Sequence, residues 1–133
     1  MADIMFELVS PERVIFSGVV RAVMLPAIAG DMTIMAGHEP TIAGLQSGFI
    51  TVTDVREHGH RAFIRGGFAE ITGESVTVLA DWVLPPDELT RERLHEEVVR
   101  LETLREVTRD DISRRDLDFA LSRLKQMRVT LSF

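Results

Sequence analysis

The chain contains no cysteine and a single tryptophan, and after Pro86 it contains neither glycine nor proline. Without thiols there are no disulfides, no thiolate nucleophiles and no sulfur-ligated metals, which fits a reducing compartment. No run of about 18 apolar residues is present, so no helix is expected to span a bilayer. Positive charge is also short. A formal net charge of −6 and a pI near 5.2 argue against general affinity for nucleic-acid phosphates or anionic membrane surfaces. The opening Met1-Ala2-Asp3-Ile4 has neither a basic stretch leading into an apolar run nor an arginine-rich presequence, so a cytosolic chain is expected.

What is present changes character part-way along. All nine glycines and all five prolines lie at or before Pro86. These residues punctuate turns and break helices, so their disappearance marks a change of architecture. Residues 1–84 are expected to form one turn-rich domain and residues 85–133 a helical appendage. A chain of 133 residues, with 45% hydrophobic and 27% charged residues, can fold one modest core but not two full-sized ones.

Up to Ala80, short β-favouring runs alternate with turn signals. Val14-Ile15-Phe16, Val19 to Leu25, Phe49 to Thr53, Ala62-Phe63-Ile64 and Val76 to Leu79 are the runs. Ser10-Pro11, Ala29-Gly30-Asp31, Gly37 to Pro40, Ser47-Gly48, His58-Gly59-His60, Gly66-Gly67 and Gly73-Glu74 are the separators. Many short strands at this spacing indicate an all-β N-terminal sandwich, a flattened antiparallel barrel. Ile50 and Val52 alternate with Thr51 and Thr53, which puts one face on a core and the other toward water. Two further apolar strips, Met32 to Met35 and Ile42 to Leu45, flank a glycine and proline loop and read mainly as core.

Beyond Pro85-Pro86 the period becomes helical. Asp87 is placed to cap a first helix whose stripe is Leu94, Val98, Leu101 and Leu104, with Glu96 and Arg100 as a pair on the wet side. Thr108 to Asp111 supplies a turn and new caps. A second stripe follows: Leu117, Ala120, Leu121, Leu124, Met127 and Leu131. The sandwich is therefore expected to be followed by an α-helical hairpin. Its two narrow stripes bury only about ten apolar side chains between them, which leaves the hairpin marginal alone and makes it a candidate switch.

Chemistry is hard to find. An enzyme reading would gather His38, His58 and His60 at a metal, but His58-Gly59-His60 lies where a hairpin turn is the plain reading. No Gly-x-Ser-x-Gly elbow, His-Glu-x-x-His helix or P-loop occurs, and Gly66-Gly67 lacks dinucleotide-fingerprint spacing. The pairs Asp110-Asp111 and Glu96-Glu97 read as solvated helix faces. No catalytic residue, cofactor or metal site is assigned.

Phe16-Ser17-Gly18, Gly30-Asp31 leading into Gly37-His38-Glu39-Pro40, His58-Gly59-His60, Gly66-Gly67-Phe68-Ala69-Glu70-Ile71 and Val76 to Asp81 together resemble the epsilon subunits of bacterial F-type ATP synthases in order and spacing. Gln126-Met127-Arg128-Val129 resembles that family's last helix. The resemblance implies a β-sandwich with a two-helix hairpin, working as a non-catalytic rotor part in the central stalk. It implies the gamma subunit and the c ring as partners, with alpha and beta subunits reached through a hairpin that in some members blocks ATP hydrolysis. It also implies a peripheral position at the cytoplasmic face of the bacterial inner membrane. By the same resemblance, the stretch from Gly30-Asp31 through His38 faces the c ring, which nominates Asp31 and His38 for that contact. Where the family usually has glycine this chain has Thr33, so a different turn is expected after Asp31. A second reading makes the hairpin a nucleotide sensor. Against it, Leu89-Thr90-Arg91-Glu92-Arg93-Leu94 keeps the arginine of the nucleotide-binding pattern as Arg93 but has Thr90 where that pattern has aspartate.

Overall fold

A computed structural model describes residues 2–130. Contacts divide the chain after Pro86 into two compact units. The first holds nine strands: β1 (Ile4–Val9), β2 (Val14–Ala27), β3 (Gly30–Ile34), β4 (Thr41–Leu45), β5 (Gly48–Asp54), β6 (Gly59–Ile64), β7 (Gly67–Ile71), β8 (Ser75–Ala80) and β9 (Val83–Leu84). The second holds α1 (Arg91–Val107) and α2 (Asp111–Thr130), preceded by a 3₁₀ turn at Pro86–Glu88.

The strands follow the order β1-β8-β7-β4-β2-β5-β6-β9, and β2 also pairs with β1 and with β3. The 14-residue β2 makes this possible, because its first half pairs with β1, its middle with β5 and its end with β3 and β4. One strand thus belongs to both layers, and the sheet closes on itself through it. The two runs read separately at Val14 and Val19 are this one strand. Ser17-Gly18 does not break it, since both residues pair with β1. All pairings are antiparallel except β1 with β8, which run parallel. That departs from the expected pattern, and it arises because the first strand returns beside the eighth rather than beside a hairpin neighbour.

Alternation selects the core. Ile4, Phe6 and Leu8 of β1, Ile50 and Val52 of β5, and Val76 and Val78 of β8 point inward, with Leu25, Ile34, Ile64 and Ile71 completing the interior. Trp82, the single tryptophan, meets Phe63 edge-on at 6.4 Å and carries the Arg65 guanidinium 4.8 Å above its ring. It therefore helps close the sandwich.

In the helical unit Leu94, Val98 and Leu101 of α1 and Ala120, Leu121 and Leu124 of α2 are buried, and α1 packs on α2 as the expected hairpin. Leu104, read as part of the stripe, is 40% exposed, and Leu131 lies outside the described residues. The cap of α1 is Thr90, whose Oγ1 accepts from the Arg93 amide at 3.2 Å. Asp87 lies in the 3₁₀ turn instead, because the chain completes that tighter turn before the helix begins. Glu96 pairs with Arg93 at 3.1 Å, and Arg100 grips Glu97 through two bonds of 3.1 and 2.6 Å, so the expected Glu96–Arg100 pair is replaced by two pairs spaced three residues apart.

Candidate functional site

Asp31 is the second residue of β3, just past the tight connection in which Ala27 of β2 pairs with Gly30. Gly30 holds φ 129, a conformation that favours glycine, and this lets the chain reverse within two residues. Asp31 is exposed and lies opposite Pro26 in the ladder. Thr33 pairs with Met24 in extended backbone, so no turn follows Asp31 and a β-branched residue suits the position.

His38 lies beyond the far end of β3, in the connection to β4. Gly37, at φ 88, donates its amide to the Gly73 carbonyl at 2.9 Å and ties this loop to the β7–β8 turn. The His38 Nδ1 lies 2.7 Å from the Glu39 carbonyl, and the His38 amide reaches the Met35 carbonyl at 3.3 Å. Asp31 and His38 are thus separated by the length of β3 rather than gathered in one loop.

His58 and His60 meet a residue that sequence reasoning did not single out. The Asp54 carboxylate accepts from the Arg56 and His58 amides at 2.8 and 2.9 Å, and its other oxygen lies 2.9 Å from His60 Nε2 and 3.9 Å from His58 Nδ1. The His60 contact, followed by the His58 amide, holds the Asp54 carboxyl down to about 2. Glu57, between them, takes the left-handed φ of 66 and pairs with Arg21 at 2.6 Å. Asp54, through His58 and His60, and Arg21, through Glu57, fix the β5–β6 turn, so two of the three histidines that an enzyme reading had offered to a metal serve the turn. A signal was present in the sequence: aspartate at the start of a short turn bonds the amides two and four residues on. Among the described residues no group of three or more histidine, aspartate or glutamate side chains is arranged to hold a metal ion.

In the hairpin an open cleft of about 580 Å³ runs between the helices, lined by Glu102, Arg105, Glu106, Asp118, Leu121, Ser122 and Lys125. Its charges answer each other across the gap, Arg105 with Asp118 and Lys125 with Glu102. The hydrogen bond from Arg105 lowers the Asp118 carboxyl and raises the guanidinium in return. The residues of the nucleotide pattern have other employment: Thr90 caps α1 and Arg93 holds Glu96.

The profile of the family described as ATP synthase, Delta/Epsilon chain, beta-sandwich domain matches residues 3–86. The chain is 40% identical over 126 residues to the ATP synthase epsilon chain of Parvibaculum lavamentivorans, covering 95% of this chain and 96% of that one. The chain belongs to the ATP synthase epsilon chain family. The epsilon chain of Ruegeria sp. is 42% identical over 118 residues, covering 88% of this chain and 85% of its own length. A chain from the Euglena gracilis mitochondrial ATP synthase, in a structure of its OSCP, F1 and c-ring, superposes with a TM-score of 0.74 at 23% identity, covering 98% of this chain and 82% of that one. A chain from the central stalk and c-ring structure of the Tetrahymena thermophila mitochondrial ATP synthase gives 0.67 at 7% identity, covering 93% and 95%. At such identities these two show a shared fold. The chain is thus an epsilon subunit of an F-type ATP synthase, a part of a larger enzyme and not itself catalytic. Among the described residues no helix is long and apolar enough to cross a membrane.

Proposed function

We propose that the chain is a rotor part of the central stalk, held by the gamma subunit on one side and by the c ring on another, so that proton flow through the ring turns the stalk and drives ATP synthesis on the alpha and beta subunits. The observation that carries this reading is the 40% identity to an epsilon chain over nearly the whole of both sequences. A closed nine-stranded sandwich suits the work, since hydrogen-bonded ladders resist shear and a rotor part needs stiffness more than chemistry. In this reading Asp31, on an exposed strand start, meets the polar loops of the ring and accepts charge-assisted hydrogen bonds from arginine or amide groups there. His38, from the other end of β3, meets the ring as well. The sandwich, residues 1–84, does the gripping, and the hairpin, residues 85–133, regulates ATP hydrolysis by reaching the alpha and beta subunits. The assembly keeps the chain peripheral, at the cytoplasmic face of the bacterial inner membrane.

The test is reconstitution. Synthase stripped of this chain and returned to vesicles is expected to lose proton-driven ATP synthesis and to regain it when the purified chain is added back. Undiminished synthesis in the stripped enzyme would refute the proposal.

A further inference from the structure

A charged side chain is seldom buried in a folded chain, and then only with a partner. Among the described residues the buried polar side chains are those of Ser10, Ser47 and Glu97, and of these only Glu97 carries a charge. It lies part-way along α1, in one buried set with Leu94, Val98 and Leu101. The spacing explains why. Positions 94, 97, 98 and 101 stand at i, i+3, i+4 and i+7, which is one face of a helix, so the second place of an apolar stripe is taken by a carboxylate.

Arg100, one turn further on, answers the charge with hydrogen bonds donated from Nε at 3.1 Å and from a terminal guanidinium nitrogen at 2.6 Å. Its side chain is 47% exposed, whereas that of Glu97 is 6% exposed. Both partners belong to one helix. The pair therefore travels with α1 and forms whether or not the helix is packed, so its attraction does not favour packing. Arg105 and Asp118 differ in this respect, because they bridge two helices. What packing changes for Glu97 is its hydration. A carboxylate taken out of water loses solvation that ion pairing offsets incompletely, and buried ionic groups replaced by apolar side chains of similar volume often leave a protein as stable or more so. Glu97 thus opposes the packed state of the helix that carries it.

We propose that the Glu97–Arg100 pair is a release catch, a charge set into the packed side of α1 that holds the packed and released states of that helix close in free energy. The proposal rests on the reading of the hairpin as a regulator of ATP hydrolysis, and it adds which residues set how readily the hairpin lets go. Leu94, Val98 and Leu101 supply the closing force, and one carboxylate among them opposes it. Arg100 reaches both water and the carboxylate, which limits that opposition to a size three apolar side chains can meet.

Hydrogen exchange of the full-length chain tests this, with the amides of β5 as an internal reference. Glu97→Met removes the buried charge, and Arg100→Met removes its partner. Methionine matches both residues in helix propensity, and each variant loses the same local pair, so the two differ in what they leave buried. Exchange of the α1 amides is expected to slow by roughly tenfold in Glu97→Met and to quicken by roughly tenfold in Arg100→Met. Melting curves identify any variant that fails to fold. Glu97→Gln and Arg100→Lys, expected to shift exchange in the same directions by less, then stand in for it. Faster exchange in both variants would make the pair an ordinary stabilising contact and overturn the proposal, and so would unchanged exchange in Glu97→Met. In the assembled synthase the two variants are expected to move ATP hydrolysis in opposite directions. Opposed exchange shifts with hydrolysis unmoved in both would leave the catch standing and overturn the regulatory reading of the hairpin.

Discussion

Gly67 stands so close to Leu79 that a Cβ on the glycine would lie 2.2 Å from the leucine carbonyl oxygen and 2.8 Å from Ala80 Cα. Its φ of 134 adds a second obstacle, because only glycine adopts that backbone readily. The obstructing atoms are backbone, so no side chain can swing away. Gly67→Ala is expected to cost about 3 kcal/mol or more, by loosening the β7–β8 ladder at its first pair. Urea unfolding measures it. Gly59, which meets nothing within 4 Å of a built Cβ, is the comparison, and Gly59→Ala is expected to stay within about 0.5 kcal/mol of the parent.

The Asp54 turn gives a pH dependence with a definite sign. His60 and the His58 amide hold the folded-state carboxyl at about 2, below its ordinary 3.8. A depressed folded value means that the folded state keeps the carboxylate where the unfolded chain has already taken up a proton. The resulting stability is therefore complete above about pH 4 and is lost as pH falls toward 2. Asp54→Asn removes the titrating group. Melting temperatures taken from pH 5 to pH 2 should fall more steeply for the parent than for Asp54→Asn, and parallel curves would count against the assignment.

Much of the sandwich was legible because its residues follow the two-residue period and its turns carry glycine or proline. Ile50 to Thr53, Ala62 to Ile64 and Val76 to Leu79 each lie inside a strand of the structure. What escaped was non-local. No sequence period says that β2 runs unbroken through Ser17-Gly18 or that β1 lies parallel to β8, since both are decided by pairing across the fold. Gly30 and Asp31 were read as a separator, yet glycine at φ 129 opens β3 and the reversal needs only two residues. At the helices Asp87 looked like the cap by residue type alone, and a 3₁₀ turn of three residues moved the start of α1 to the residue after Thr90.

The hairpin separates two kinds of stabilisation. Arg105 and Asp118 bridge the helices but stand 39% and 50% exposed, where water and salt compete for both charges. Leu124, wholly buried, has no such competition. Leu124→Ala is expected to cost about 2 to 5 kcal/mol, whereas Arg105→Ala should give a small change that vanishes in concentrated salt. Hydrogen exchange of the α1 and α2 amides distinguishes them, since only the first substitution should raise exchange along both helices.

Thr90 tests whether the start of α1 serves the helix or a ligand. Its Oγ1 accepts from the Arg93 amide, so Thr90→Ala is expected to cost about 0.5 to 2 kcal/mol of helix stability. Thr90→Asp keeps an acceptor at the same place and adds negative charge at the positive end of the helix, so it should recover that loss or exceed it. Exchange of the first-turn amides of α1 reports both variants, and no loss in Thr90→Ala would remove the cap from this account.

Asp31 offers the sharpest test of the proposed ring contact, because it is exposed at the start of β3 while the ladder to β2 fixes the backbone. Melting curves of each variant separate a loss of fold stability from a loss of the contact. In the assembled synthase Asp31→Arg is expected to lower ATP synthesis per proton translocated, while ATP hydrolysis by the detached F1 part stays as in the parent. Asp31→Glu keeps the charge and should retain coupling, and Asp31→Asn should fall between them with less dependence on ionic strength. His38→Ala, at the other end of β3, removes the second proposed ring contact and should combine additively with Asp31→Asn. Coupling that survives Asp31→Arg unchanged would move the ring contact away from this strand.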